Sequence, residues 1–266
     1  MDLTAVEAVR QARTRADLAL APGERFLAGG TWLFSEPQPD VTGLVDLSGL
    51  GWDELDLSER GDLRIGACAS IGALESWARA SSLPAAPLFC DCAESLLASF
   101  KVRASATVGG NIARSYAAAS MIALATTLDG VAEIWTATAE RTVPVAALPA
   151  GNGETTLSPG EALRAISLPA SALAATTASR RIALAQHGRA GALLTGRRDT
   201  DGACTFVITA ATLTPTVLRY PDLPDPAVLE REVRAAAGYY TDPLGTADWR
   251  RQVSAVLLAE VREELS

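Results

Sequence analysis

Two glycine pairs, Gly29-Gly30 and Gly109-Gly110, stand about eighty residues apart, each following an apolar run. Glycine lets the main chain reach φ > 0 and removes the Cβ, so peptide N–H groups can come within hydrogen-bond distance of an anion. Ala28-Gly29-Gly30-Thr31 and Thr107-Val108-Gly109-Gly110-Asn111 therefore read as two backbone loops that close on one anionic ligand. A diphosphate suits both. Thr31 adds a hydroxyl to the first loop, and the second offers a hydroxyl, two unobstructed amides and a carboxamide within five residues. Either pair alone reads as a tight turn between elements; the same chemistry occurring twice favours a ligand.

The rest of the composition narrows the function class. With 266 residues, 48% of them hydrophobic, the chain is long enough for one large core or several lobes. A net charge of −8, with Lys101 the only lysine, argues against a nucleic-acid surface, which needs clustered Lys and Arg. No apolar run approaches the roughly 18–20 residues that span a bilayer, and residues 1–20 lack a basic-then-apolar secretory pattern, so the expectation is a cytoplasmic protein with no membrane partner. Cys68, Cys90, Cys92 and Cys204 have spacings unlike a zinc or iron–sulfur ligand set. They read as reduced, structural thiols, and no metal is expected.

Read along the chain, Thr4-Ala5-Val6-Glu7 is a capping box that predicts a helix to about Arg13. Residues 25–28 and 43–47 predict short strands on either side of the first glycine pair, and residues 62–67 alternate as a half-buried strand. Apolar spacing predicts amphipathic helices over 71–80 and 88–100, the second leading directly into the second glycine pair. Residues 117–128 are almost wholly apolar and belong deep in the molecule, while 131–136 and 141–145 predict a hairpin. A strand is expected over 165–168, a linker over the Ala/Ser/Thr-rich 170–179, and strands over 181–186 and 205–213. Asp225-Pro226 opens the first of two C-terminal helices, 227–237 and 247–265. This is an α+β plan without long βαβ alternation.

Several of these segments, in order, resemble one family. Ala28-Gly29-Gly30-Thr31-Trp32-Leu33 resembles its A-G-G-T-x-L loop. Val102-Arg103 followed by Ala106-Thr107-Val108-Gly109-Gly110-Asn111-Ile112-Ala113 resembles its I-R…A-T-I-G-G-N-L-A loop. Leu44-Val45-Asp46-Leu47, Leu63-Arg64-Ile65-Gly66-Ala67, Leu157-Ser158-Pro159-Gly160-Glu161 with Leu163, and Asp248-Trp249-Arg250-Arg251 add further matches. The chain is similar to the FAD-binding subunit of molybdenum hydroxylases, such as the medium subunit of carbon monoxide dehydrogenase and the flavin domain of xanthine dehydrogenase. The resemblance implies a two-lobed PCMH-type FAD-binding domain over 1–170, with lobes of about 1–55 and 56–170. A smaller sheet-and-helix domain over 171–266 would follow. It implies that Leu27, Ala28, Gly29, Gly30, Thr31, Trp32 and Leu33, with Ala106, Thr107, Val108, Gly109, Gly110 and Asn111, bind the diphosphate and adjoining ribityl and ribose groups of FAD. Leu163 would contact the flavin or adenine side. The implied activity is that of an FAD-dependent oxidoreductase subunit, relaying electrons between an iron–sulfur centre on a partner, in an assembly with a molybdopterin subunit, and an acceptor such as NAD.

The chain also departs from the family pattern. Where the family continues with Ser-Pro-Ala-Ala-Asp, whose Asp helps hold FAD, this chain has Tyr116-Ala117-Ala118-Ala119-Ser120. Ser120 supplies a hydroxyl without charge. The asparagine after the Ile-Arg pair is Ala104, and the basic residue expected on the first strand of the C-terminal domain is Gln186, or Arg181 if gaps fall otherwise. These changes leave open an alternative: a stand-alone FAD oxidoreductase, or a small-molecule-binding biosynthetic protein that kept the fold and lost the relay. His187, the single histidine, reads as structural more readily than as an acid or base, since no partner for it can be identified. Trp32 and Tyr116 have two readings, core packing or facing the flavin, and Asp46 reads as a hydrogen-bonded structural acid.

Overall fold

The structure, a computed structural model, describes residues 3–185 and 188–266. Gln186 and His187, both singled out above, lie outside the described residues.

The chain opens with a small parallel sheet of β1 (Ala8–Gln11), β2 (Glu24–Leu27) and β3 (Gly43–Asp46), with β3 in the centre. The helix expected over residues 4–13 is not formed, and β1 runs there instead. A helix needs an apolar face to bury, and Val9 is 64% exposed. As a strand the same residues satisfy the open edge of β3, to which they pair in parallel. A capping box forms ten residues later, where the Asp17 carboxylate accepts from Thr14 N at 2.8 Å and from the Thr14 hydroxyl at 2.9 Å at the start of a short 3-10 turn, Arg15–Leu18. β2 ends at Leu27, one residue before the first glycine segment.

A five-stranded antiparallel sheet follows, in the order β4-β5-β10-β6-β7, made of β4 (Leu55–Leu57), β5 (Leu63–Gly66), β6 (Val131–Trp135), β7 (Glu140–Pro144) and β10 (Ala162–Leu168). Between β7 and β10 lies the two-stranded ribbon of β8 (Pro149–Gly151) and β9 (Glu154–Thr155). Five helices connect β5 to β6: α1 (Ile71–Ala80), α2 (Ala86–Ser95), α3 (Phe100–Ser105), α4 (Val108–Arg114) and α5 (Ser120–Thr127). The expected single helix over 88–100 is divided into α2 and α3, because the chain reverses at Leu97, which takes a left-handed φ of 51°. The second glycine pair lies inside α4 rather than in an open loop. Every residue of α5 is buried, as the unbroken apolar run over 117–128 demands.

The linker expected over 170–179 is ordered: α6 (Ala170–Leu173) leads directly into β11 (Thr176–Ile182). Its Ala and Thr residues lack a visible period because β11 is half-covered along its length. β11 belongs to an antiparallel meander with β12 (Ala192–Arg198), β13 (Cys204–Thr209) and β14 (Thr216–Tyr220). The expected strands over 181–186 and 205–213 are thus shifted, and β12 and β14 were not anticipated. β12 packs against α5 and against the last helix, so six of its seven residues are buried and no alternation is left to read. α7 (Pro226–Ala235) and α8 (Ala247–Glu264) close the chain, the first capped by Asp225 as expected. The main core reaches from β5, β6 and β10 through α1, α2, α4 and α5 to Leu193 and Ala210 of the C-terminal sheet. A second core lies between that sheet and α7 and α8, and a third beneath β3.

Candidate functional site

The first glycine segment leaves β2 and turns against the second. A Cβ built on Gly29 would lie 1.9 Å from the carbonyl oxygen of Ser105, so the two segments touch backbone to backbone. Gly30 has φ of 66°, and a side chain there would meet the Phe34 ring at 2.5 Å. Phe34 N donates to Gly30 O at 2.9 Å, which closes the turn. Among the described residues, the amides of Gly29 to Leu33 donate to no protein group, and the segment is only half-buried. Unsatisfied backbone N–H groups clustered in one bend form an anion-binding concavity.

The second segment is built differently. Val108 N donates to Ala69 O and Gly109 N to Ala67 O, both at 2.9 Å. The Thr107 hydroxyl caps α4 by accepting from Gly110 N at 3.0 Å, and Asn111 N donates to Thr107 O at 3.0 Å. The expectation that both pairs present amides is therefore met only at the first. Gly109 serves packing, since a Cβ there would lie 2.5 Å from the Ala67 Cβ and 2.7 Å from its carbonyl oxygen. A Cβ on Gly110 would meet only the Thr107 hydroxyl, at 2.8 Å, so that face of α4 is open. Asn111 Oδ1 accepts from Met121 N at 3.0 Å and caps α5, which leaves the carboxamide N–H groups to donate.

Trp32, Arg114 and Tyr116 strap the two segments together. Trp32 Nε1 donates to the Tyr116 hydroxyl at 2.9 Å, and Arg114 Nη2 donates to the same oxygen at 3.0 Å. The Arg114 guanidinium lies 4.0 Å from the Trp32 ring centre and 4.3 Å from that of Tyr116, and its Nη1 donates to Gly153 O at 2.7 Å. Arginine's planar fork allows stacking and two-way donation together. Nothing in the sequence singled out Arg114; its place three residues beyond Asn111, at the end of the same short helix, was the only available signal. Beyond Tyr116, Ala117 N donates to Asn152 Oδ1, and Ala117 O accepts from Ala210 N of the C-terminal sheet. Ala210 O in turn accepts from the fully buried Arg250, which also donates to Gly191 O and is paired with Asp242.

The further predicted contacts, Ser120 and Leu163, are both buried. Ser120 opens α5 and is fully buried, its hydroxyl without a partner among the described residues. Leu163 is 4% exposed within the main core, beside a bulge in β10. Asp46 is structural, accepting from the Ser48 amide and hydroxyl. All four cysteines are free, and burial pushes the Cys68 thiol up to about 11, which keeps it protonated. Unpaired amides in the first turn, the open face of Gly110 and neutral donors at Thr31 and Asn111 form a donor set that fits a diphosphate-bearing cofactor.

Residues 4–171 match the family described as the FAD binding domain in molybdopterin dehydrogenase. Over 61 residues the chain is 41% identical to the aldehyde oxidoreductase FAD-binding subunit PaoB of Escherichia coli (strain K12), a stretch that covers 20% of this chain and 19% of that protein. The match thus spans about a fifth of that relative's length. Solved structures share the fold, two of them as follows. Quinoline 2-oxidoreductase from Pseudomonas putida 86 superposes with a TM-score of 0.82 at 20% identity, over 100% of this chain and 98% of that one. Reconstituted CO dehydrogenase from Oligotropha carboxidovorans gives 0.82 at 23% identity, over 98% and 97%.

Proposed function

We propose that this chain, which belongs to the family of FAD-binding domains of molybdopterin dehydrogenases, works as the flavoprotein subunit of a molybdenum-hydroxylase-like dehydrogenase and relays electrons between a partner's iron–sulfur centre and an acceptor such as NAD. FAD, the cofactor of the family, supplies the electron-transfer chemistry when bound. The residues of the chain hold and orient it. The segment from Leu27 to Leu33 would grip the diphosphate, through the unpaired amides of Gly29 to Leu33 and the Thr31 hydroxyl. Ala106 to Asn111 would form the opposing wall, where the open face of Gly110 admits the ligand and Asn111 donates from its carboxamide. Ser120 and Leu163, both buried, would back these walls from within the core, and Gln186, outside the described residues, would be a further contact. In this reading residues 1–170 form the cofactor-binding part and 171–266 a cap beside it, and an iron–sulfur subunit and a molybdopterin subunit are the partners. No helix among the described residues is long and apolar enough to cross a membrane; a cytoplasmic location is part of the proposal.

The observation that supports the reading best is the first glycine turn, whose amides are unpaired and whose Gly29 abuts the Ser105 backbone. The test is reconstitution. Chain loaded with FAD should re-oxidise a reduced iron–sulfur partner in the presence of NAD, and chain stripped of flavin should not. A loaded chain that passes no electrons would leave the alternative: a stand-alone FAD oxidoreductase, or a small-molecule-binding protein that lost the relay. One observation favours that alternative. Ser120, at the position of the family's Asp, is buried and uncharged and lacks a hydrogen-bond partner among the described residues.

A further inference from the structure

The Tyr116 hydroxyl occupies an unusual position. A phenol oxygen has two acceptor sites and one proton. Both acceptor sites are used, by Trp32 Nε1 at 2.9 Å and Arg114 Nη2 at 3.0 Å. Indole and guanidinium are donors only, so neither can receive the phenol's proton. Among the described residues no acceptor meets it. A half-buried polar hydrogen without a partner, fixed in direction by two neighbours, is arranged for a group brought from outside.

Its surroundings narrow what that group is. Trp32 belongs to the first glycine segment, and Tyr116 lies five residues beyond Asn111, so the hydroxyl sits where the two segments are joined. Three contacts fix the ring. It packs edge-on to Trp32 at 6.4 Å between centroids, lies under the Arg114 guanidinium and borders Gly153, where an added Cβ would meet Tyr116 Cε1 at 3.2 Å. Gly153 itself has φ of 86°, and Arg114 is fastened to its carbonyl. The donor is therefore held on three sides before any ligand arrives. Preorganised donors of this kind contribute to binding because little ordering remains to be done.

We propose that Tyr116 is a cofactor-contacting residue whose hydroxyl donates its one proton to an acceptor oxygen of FAD, with Trp32 and Arg114 as the positioning residues that aim it. The inference rests on the reading of this site as the FAD site. The acceptor is an oxygen of the diphosphate and ribose half or of the flavin and ribityl half, and the experiment distinguishes the two.

The test compares the full-length wild type with Tyr116→Phe, which keeps the ring beneath Arg114 and removes the proton. Affinities for FAD, ADP and riboflavin are measured by calorimetry, with the melting temperature of the flavin-free protein as a control on folding. Tyr116→Phe should weaken FAD about tenfold, the effect of one good hydrogen bond. It should also weaken either ADP or riboflavin, whichever carries the acceptor, and spare the other. Unchanged FAD affinity would overturn the inference. So would equal weakening of ADP and riboflavin, which would mean that the substitution loosened the whole cradle. If the variant melts well below the wild type, the ring-carbon resonance of Tyr116 in the wild type decides: a shift on adding FAD supports the contact, and an unmoved resonance refutes it. Failure of the wild type to take up FAD would instead remove the proposed function, so the two failures are told apart.

Discussion

At the scale of single residues, the glycines of the site perform different tasks, and substitutions separate them. Gly29→Ala would set a Cβ 1.9 Å from the Ser105 carbonyl oxygen, a backbone atom that cannot rotate away. The two segments would have to part, at a stability loss of about 1–3 kcal/mol for overpacking. Flavin retention and melting temperature should fall together. Gly110→Val is the contrasting case, because its Cβ would meet the Thr107 hydroxyl at 2.8 Å and disturb a helix cap rather than press on backbone. The β-branched side chain would cover the open face of α4, so flavin should be lost while circular dichroism stays near the wild type and stability falls by no more than the loss of one helix cap, about 1 kcal/mol. A Gly110→Val protein that retains full flavin would count against this wall of the site. The paired glycines were legible in the sequence because glycine has few uses in short apolar surroundings. Their division of labour was not, since it depends on Ser105 and Ala67, which only folding brings close. Arg114 was invisible for the same reason.

At the scale of elements, hydrophobic period served well where one face meets the core. α1 forms over the predicted 71–80, with Ile71, Leu74 and Ala78 buried, and the hairpin of β6 and β7 falls within one residue of its expected start. Period failed where both faces are covered, as in β12, or where pairing demands override local propensity, as in β1. The division between α2 and α3 is a third kind of failure, because the apolar spacing continues through a residue that breaks the helix. Leu97 holds a left-handed conformation that costs an L-residue roughly 1–2 kcal/mol, and at 39% exposure its packing offsets only part of that cost. Leu97→Gly removes that strain and gives up part of it to the entropy of a freer unfolded chain. With the lost packing counted, the variant should lie within about 1 kcal/mol of the wild type in denaturant titration, where an ordinary part-buried Leu→Gly change would cost about 2 kcal/mol or more. A loss of about 2 kcal/mol or more would mean that the left-handed turn at Leu97 carries no strain for glycine to relieve.

At the scale of the whole molecule, the C-terminal sheet is bound to the rest through α5 and the turn that follows it. Asp129 accepts from both Arg197 of β12 and Arg219 of β14, and Arg197 also donates to Thr127 O at 2.9 Å. Burial by itself would raise the Asp129 pKa, but the two arginine hydrogen bonds outweigh it and hold the group below its ordinary 3.8. A depressed carboxylate contributes stability that is fully present above the unfolded value and is lost as pH falls through the folded one. Asp129→Asn, which tolerates the left-handed φ of 53° at this position, should therefore lower stability by about 2 kcal/mol at neutral pH and flatten the acid limb below pH 3.8. An acid limb as steep as that of the wild type would assign the loss to other carboxylates.

The same joint bears on whether the first 170 residues can stand alone. All eight residues of α5 are buried, and the helix packs on β12 and β13 as well as on α2, while Leu193 and Ala210 belong to the main core. Cutting the chain at 170 would uncover one side of an element with no polar face. It would also leave Arg197's partner Asp129 and the Ala117 carbonyl without their bonds. A buried helix turned toward water is a route to association rather than to a stable surface. A fragment of residues 1–170 should accordingly be aggregation-prone and show poorly dispersed amide resonances, and addition of 171–266 should restore dispersion. A well-dispersed spectrum and a cooperative melt from 1–170 alone would make position 170 a true folding boundary. The expected result makes it a boundary of sequence pattern only, with the wall of the proposed cofactor site held in shape by the sheet that comes last in the chain.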